Sequence, residues 1–381
     1  MDIYEIINKI VWWIPFKNKR NDTRLKLIRL IEDAVEKGKK VDRIRYYNII
    51  TDILSYNNSN VEKIFYFSTP EHPNIGDNAI TYATNKILKE LFKDKIVLEY
   101  TNNDFMLLKD VLFKFVKDDD IIVLHGGGNF GNLWIYHEYE RREIISRLKN
   151  NRIIIFPQSI YFTDDNDGKK ELEVSQKIYN SHKNLTIMTR DLISYRIAKE
   201  YFYNNNILLS PDIVFSLMNN INIDRVNRKG ILFLLRNDKE KLLDDLFIEK
   251  IKEYLDLINI NYCLEDNIFQ SEVKDFKIER ENIVINQLKN ISKYNICITD
   301  RFHGAIFSYI TNTPCIVFKS LYHKIEYGLE WIKESDSISY ISDNDDIEYV
   351  KVLIDKYLNM KINNNISFDK QIKEQLLTLI K

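Results

Sequence analysis

The chain has 381 residues, 45% of them hydrophobic and 12% aromatic, with a formal net charge of −1. Its length predicts two domains rather than one, and its apolar share excludes general disorder. The near-neutral charge excludes a broad nucleic-acid footprint, and the three cysteines (Cys263, Cys297, Cys315) form no CxxC pair, which leaves no zinc or disulfide framework. No metal site is expected. The opening MDIYEIINKI is acidic early and has no small-residue cleavage site, and no apolar run approaches the ~20 residues of a spanning helix. A cytoplasmic location follows as the expectation.

Residues 1–60 carry Ile6, Ile7, Ile10, Val11, Leu27, Leu30 and Ile31 at helical spacings and are expected to form a helical segment. Within it Trp12, Trp13 and Phe16 stand beside Lys17, Lys19 and Arg20. That arrangement suits either a peripheral membrane contact at the inner face or aromatics packed on the following domain. From Val61 the texture turns to strand–loop–helix alternation. Strands are expected at Lys63–Phe67, Ile96–Tyr100, Ile121–Leu124, Ile153–Phe156, Leu185–Thr189 and Ile207–Leu209, with helices between them. A polar stretch near Met218–Arg228 marks the boundary between an N-terminal domain (61–217) and a C-terminal domain (218–381). The second unit opens at Gly230–Leu235 and continues through a helix at Lys239–Leu257, a strand at Ile296–Thr299, a helix from Ala305 and a strand at Cys315–Phe318.

The polar signals fall where the strands stop, the place where ligands bind in doubly wound sheets. Asp300, Arg301, His303 and Gly304 lie between a strand and an apolar helix. There the free N–H groups and the helix dipole favour an anion, Arg301 can grip it with two hydrogen bonds, and His303 can move a proton. A surface Asp–Arg pair with His303 as a cap reads the same residues differently. Asp77 in NIGDNA suits a helix cap or a base. HGGGNFGNLW holds Gly126, Gly127, Gly128 and Gly131, four of the ten glycines, whose backbone N–H groups can converge on an anion or a sugar. It is neither a Walker loop nor a phased GxGxxG. His125, at that strand end, suits a substrate contact or a core histidine. Gln158, Arg190 and Arg236 close the following strands.

Taken in order, NIGDNAI, HGGGNFGNLW, FPQSIYF, TRDLISY, LSPDIVFSL, LFLLRNDKEK and TDRFHGAIFSYITNTP closely resemble the polysaccharide pyruvyl transferase family over roughly residues 60–335. The resemblance implies a GT-B-like fold of two Rossmann-type domains facing each other across a cleft. It implies transfer of pyruvate from phosphoenolpyruvate (PEP) onto two sugar hydroxyls as a cyclic ketal, in cell-surface or exopolysaccharide biosynthesis. PEP is then a co-substrate and no cofactor is needed. The family's Arg-x-His-Gly element falls on Arg301, His303 and Gly304, with Phe302 where Leu is usual. Asn132 stands where many members carry Asp. Lys319-Ser320, ahead of Tyr322 and Lys324, stand where many read Asp-Asn.

In this scheme His303 is the expected acid–base group, with Asp77 second. Arg301, Arg190, Arg236 and the helix at Gly304 would hold PEP. His125, Gly126, Gly127, Gly128, Asn129 and Gln158 would meet a sugar acceptor that is nucleotide- or lipid-linked. A GT-B glycosyltransferase with a nucleotide-sugar donor, or a non-catalytic sugar-phosphate-binding protein, fits the same fold.

Overall fold

The computed structural model describes residues 7–8, 11–12, 14–37, 43–57, 61–218, 220–221, 227–238, 241–269, 273, 275–320, 323–342, 346–360, 362, 364 and 366–380. Trp13, Tyr322 and positions 222–226 of the expected boundary lie outside them. Helices α1 (Lys17–Lys37) and α2 (Arg43–Asn57) precede the first sheet. That sheet holds β1 (Lys63–Thr69), β2 (Ile96–Thr101), β3 (Ile121–Leu124), β4 (Gly127–Gly131), β5 (Arg152–Tyr161), β6 (Leu185–Thr189) and β7 (Asn206–Leu209). The order is β2-β1-β3-β5-β6-β7, with β4 beside β5, and every pairing is parallel. Short continuous apolar runs such as IIVL in β3 are buried along their whole length, as strands covered on both faces must be. The cover comes from α3 (Ile75–Leu91), α4 (Asn102–Phe115), α5 (Ile135–Arg147), α6 (Asn166–Asn180) and α7 (Leu192–Tyr201).

Two strands of this sheet depart from the sequence expectation. β5 runs on past Phe156 through Pro157 to Tyr161, although proline donates no ladder hydrogen bond. Its register against β6 slips between Ile155 and Gln158, which absorbs the proline. Residues Gly127–Gly131, expected as a loop, pair with β5 as a short strand. Gly131 holds φ +131, and a Cβ there would lie 1.7 Å from the Tyr161 carbonyl oxygen, so only glycine fits.

The second sheet holds β8 (Ile231–Leu234), β9 (Tyr262–Glu265), β10 (Ile296–Thr299), β11 (Cys315–Phe318) and β12 (Ile338–Ile341), parallel in the order β12-β11-β10-β8-β9. Around it lie α8 (Asp245–Leu257), α9 (Phe276–Ser292), α10 (Phe302–Ile310), α11 (Lys324–Gly328) and α12 (Ile347–Leu358), followed by α13 (Asp369–Ile380). α8 starts six residues later than the sequence suggests, where Asp244 caps it by accepting from the Leu246 amide.

The two halves share apolar core. Ile80 and Ala83 of α3, with Val214 and Phe215 just after β7, pack in one cluster with Leu288 of α9 and Ile306 of α10. α13 extends this cluster through Ile372, Leu376 and Ile380. It also accepts from Arg152 Nη1 at the Leu379 carbonyl and donates from Gln375 to the Leu209 carbonyl. Polar bonds stitch the rim. Arg280 of α9 is buried and donates to Asn78, to Glu99 and to the Pro70 carbonyl, all on the first half. Truncating one member of a buried charged pair leaves the other uncompensated, a loss of about 3–5 kcal/mol. Arg280→Ala is therefore expected to lower stability in urea unfolding by that order, with Arg280→Lys recovering little because one ammonium cannot reach three divergent acceptors.

Candidate functional site

The carboxyl ends of both sheets face a cleft of about 450 Å³. Ser68 and Pro70 close β1, His125, Gly128 and Asn129 follow β3, and Arg190 follows β6. From the other half come Arg236 and Asp238 after β8, Asn267 and Ile268 after β9, Arg301, Phe302 and His303 after β10, and Lys324 after β11. One wall is pinned by a short inter-sheet bridge, in which the Ile75 amide donates to the Asn267 carbonyl and the Phe269 amide to the Pro73 carbonyl.

His303 sits in the first turn of α10, and its Nε2 lies 3.6 Å from Asp212 Oδ2. Asp212 belongs to the other half, just after β7. It accepts from Arg190 Nη1 at 2.7 Å and from the Val214 amide. Burial would raise this carboxyl, but His303, Arg190 and the amide together hold it well below the usual carboxylate range. Asp212 is thus a fixed negative charge beside His303. In the sequence Pro211-Asp212 has the look of a simple turn, and nothing local shows that Arg190 meets it. Arg190 also donates to Ser159, and its guanidinium lies 4.7 Å from the Phe302 ring. The His303 ring packs directly on Gly76, where a Cβ would stand 2.3 Å from Nδ1. Arg301 takes the N-cap position of α10 and no side chain caps this helix, so His303 is not its cap.

Arg301 departs from the expectation that its fork grips a ligand. Nε and Nη2 donate to Asp266 at 2.6 and 2.8 Å, which leaves Nη1, 3.3 Å from Asp238, on the cleft side. Arg236 lies 3.2 Å from the same Asp238, and its amide donates to Asp300. Burial pushes the Asp300 carboxyl up to about 6. Gly304 lies behind α10's first turn against Thr299 and does not line the cleft.

On the first-sheet wall, Asn74 caps α3 and also donates to Asp77, so Asp77 is no cap and turns to the cleft. Burial would raise Asp77, yet His72, His303, His125 and Arg190 hold it below the usual range. His125 is buried, its Nδ1 2.6 Å from the Tyr66 hydroxyl, and its Nε2 has no partner among the described residues. Burial pushes it down to about 3, so it is a neutral ring. Of the glycine-rich segment, Gly128 and Asn129 reach the cleft, while Gly126 and Gly127 support them from behind. Gln158 is also a support, donating to Asn129 and to the His125 carbonyl. Asn132, away from the cleft lining, ties its loop to Thr163. His72, His137, Asn102 and Trp134 carry no signal in the sequence that gives them a role, yet all four line the cleft, as does Lys324 of the segment that the family resemblance marks. Among the described residues no group of three or more His, Cys, Asp or Glu is placed to hold a metal ion.

Because the His303 ring occupies the space that a side chain at residue 76 would need, Gly76→Ala is expected to turn the ring away from Asp212. Overpacking of this kind destabilises by about 1–3 kcal/mol, readable as a lowered thermal midpoint together with a displaced ring in a crystal structure. An unmoved ring would contradict the packing described.

The polysaccharide pyruvyl transferase family model matches residues 74–321, which contain most of the cleft. General stress protein 30 of Bacillus subtilis is 34% identical over 86% of this chain and 94% of its own length. Pyruvyl transferase 1 of Schizosaccharomyces pombe is 28% identical over 68% of this chain and 67% of its own. Among solved structures, the S. aureus MnaA–UDP co-structure superposes with a TM-score of 0.55 at 12% identity, covering 84% of this chain and 96% of that one. That likeness is of fold alone, and the fold is GT-B-like, as the sequence motifs imply. The match across the cleft-forming residues carries the assignment: the chain belongs to the polysaccharide pyruvyl transferase family.

Proposed function

We propose that the protein moves pyruvate from PEP onto two hydroxyls of a sugar, closing a cyclic ketal. The family makes the protein a transferase of pyruvyl groups in polysaccharide biosynthesis. The observation that carries the finer reading is His303, held beside the fixed charge of Asp212 at the uncapped N-terminus of α10. Arg190, Arg236, Arg301 and Lys324 line the same cleft, cations suited to a phosphate and a carboxylate on one small molecule. His303 delivers a proton to the methylene carbon of PEP, making C2 electrophilic. One hydroxyl adds, phosphate leaves, and the second hydroxyl closes the ring. Asp77, expected as the second acid–base group, is held anionic and would instead orient the substrate. Neutral His125, with Gly128 and Asn129, would meet the sugar from the opposite wall.

Incubation with PEP and a panel of nucleotide- and lipid-linked sugars tests this reading. Phosphate release with a sugar mass gain of pyruvate minus water is expected. Binding of a nucleoside diphosphate in place of PEP would instead indicate a GT-B glycosyltransferase. PEP binding without turnover on any acceptor would indicate a sugar-phosphate-binding protein.

Arg301→Ala should weaken PEP binding by roughly ten- to a hundredfold, the usual scale for one charge-assisted contact, because it also leaves Asp266 and Asp238 facing the phosphate. His303→Gln should lower single-turnover phosphate release by about a hundredfold or more with far less effect on PEP affinity. Full turnover in the His303 variant would remove it as the acid–base group.

The membrane contact is a separate proposal. No described helix is long and apolar enough to cross a bilayer. Trp12 and Phe16 are 73% and 71% exposed, beside the basic start of α1, where the Arg20 guanidinium lies 5.0 Å from the Trp12 ring. We expect co-sedimentation with anionic vesicles, lost in high salt and in a Trp12→Ala, Phe16→Ala variant. Such a contact would bring the cleft to lipid-linked acceptors.

A further inference from the structure

Ketal formation, the reading on which this inference rests, takes a proton from each of two hydroxyls. One proton is matched by the carbon that becomes a methyl group, the other by the departing phosphate. His303 serves the carbon from the second half of the molecule. Of the four titratable groups on the opposite wall, His72 stands against Asp77 with its Nε2 3.6 Å from Oδ2, and the other three are poor proton acceptors. Asp77 is held below the usual range, and burial pushes His125 down to about 3 and His137 to about 4.

One carboxyl lies a single side chain behind that wall. Glu140 of α5 is 6% exposed. Its Oε1 accepts from Ser68 Oγ at 2.7 Å and its Oε2 from Asn102 Nδ2 at 2.7 Å. Ser68 and Asn102 both line the cleft, and Asn102 Nδ2 also lies 3.3 Å from His137 Nδ1. Ser68 holds φ +67, a left-handed conformation that a residue with a side chain rarely adopts and only under strain. Glycine would relieve that strain, but serine keeps a hydroxyl between the cleft and the buried carboxyl.

We propose that Ser68 and Glu140 form a proton relay for the acceptor sugar. As the acceptor oxygen bonds to C2, its O–H bond breaks and the proton passes to Ser68 Oγ, while the Ser68 proton moves to Oε1 of the Glu140 carboxylate. The C2–O bond to phosphate then breaks with its electron pair on the phosphate oxygen. Return of the stored proton through Ser68 releases hydrogen phosphate and restores the carboxylate, and as the second hydroxyl bonds to C2 its O–H bond breaks and that proton returns to His303, replacing the one given to the methylene carbon. Ser68 is the group that touches substrate, and Glu140 acts through it.

The surroundings suit a carboxyl that works in both forms. Burial raises Glu140 to about 7, with Arg141 opposing and Glu143 adding to the rise. Both charges are on its own helix, as is His137, and Glu143 is paired with Lys109 of α4 at 2.7 Å. β1 and the start of α4 set neutral Ser68 and Asn102 against it. A raised carboxyl is ionised above that value, so turnover through the relay rises as pH passes upward through about 7.

The test is single-turnover phosphate release against pH, beside equilibrium PEP binding, for the full-length protein and for Glu140→Gln and Ser68→Ala. Both variants should fall by about a hundredfold and lose the limb near neutral pH, the scale of a lost acid–base group. PEP affinity should stay within about threefold of wild type, as expected when only the chemical step is touched. Ser68→Ala, at the cleft surface, guards against a folding defect in Glu140→Gln. Wild-type turnover and an unchanged pH profile in Ser68→Ala overturn the relay. So does a parallel loss of PEP binding, which would mark a structural role. A wild-type protein that releases no phosphate with any acceptor ends the ketal reading itself, and the relay with it.

Discussion

The buried pair of Arg190 and Asp212 is the interaction on which the cleft depends. Both residues come from the first half, yet each is completed from the second: His303 stands against Asp212, and Phe302 lies under the Arg190 guanidinium. The indole of Trp331 donates to the Arg190 carbonyl at 2.8 Å. An unpartnered charge at this depth would be strongly destabilising, so pairing and domain apposition require one another. The imidazole proposed for proton transfer is therefore set in place by the same contact that holds the halves together.

Charge in the cleft is compensated before any ligand arrives. Arg190 faces Asp212, Arg301 faces Asp266, and Arg236 lies beside Asp238. Carboxylate partners fix the guanidinium directions, and a fixed donor loses little freedom when an anion binds.

Much of this is legible in the sequence because parallel strands covered on both faces must be short and continuously apolar. IIVL, ICIT and CIVF are read at sight. The strands that escape notice lack that texture. β9 is an edge strand with partly exposed YCLE, β12 likewise carries ISYI, and β4 is written in glycine. Arg301, His303, Arg190 and His125 stand out because each ends a strand. Asp212 and Asp266, which hold Arg190 and Arg301, do not, because pairing across tens of residues leaves no local pattern. Gly76 looks like a turn residue, whereas its use is to admit an imidazole from a helix more than two hundred residues further along.

The manner in which α13 closes the molecule bears on how the chain finds its fold. Its contacts reach back over sequence separations of 166, 227 and 283 residues, to Leu209, Arg152 and Glu90. Closing loops of that length is entropically expensive and slow compared with pairing strands inside one sheet. Each sheet can assemble from near neighbours, whereas the joint between them is complete only once residues 369–380 are in place. Until then the apolar faces of α3 and α10 have incomplete cover. A nascent protein with both sheets built and α13 not yet synthesised would expose an open, sticky seam, where a chaperone would find most to hold.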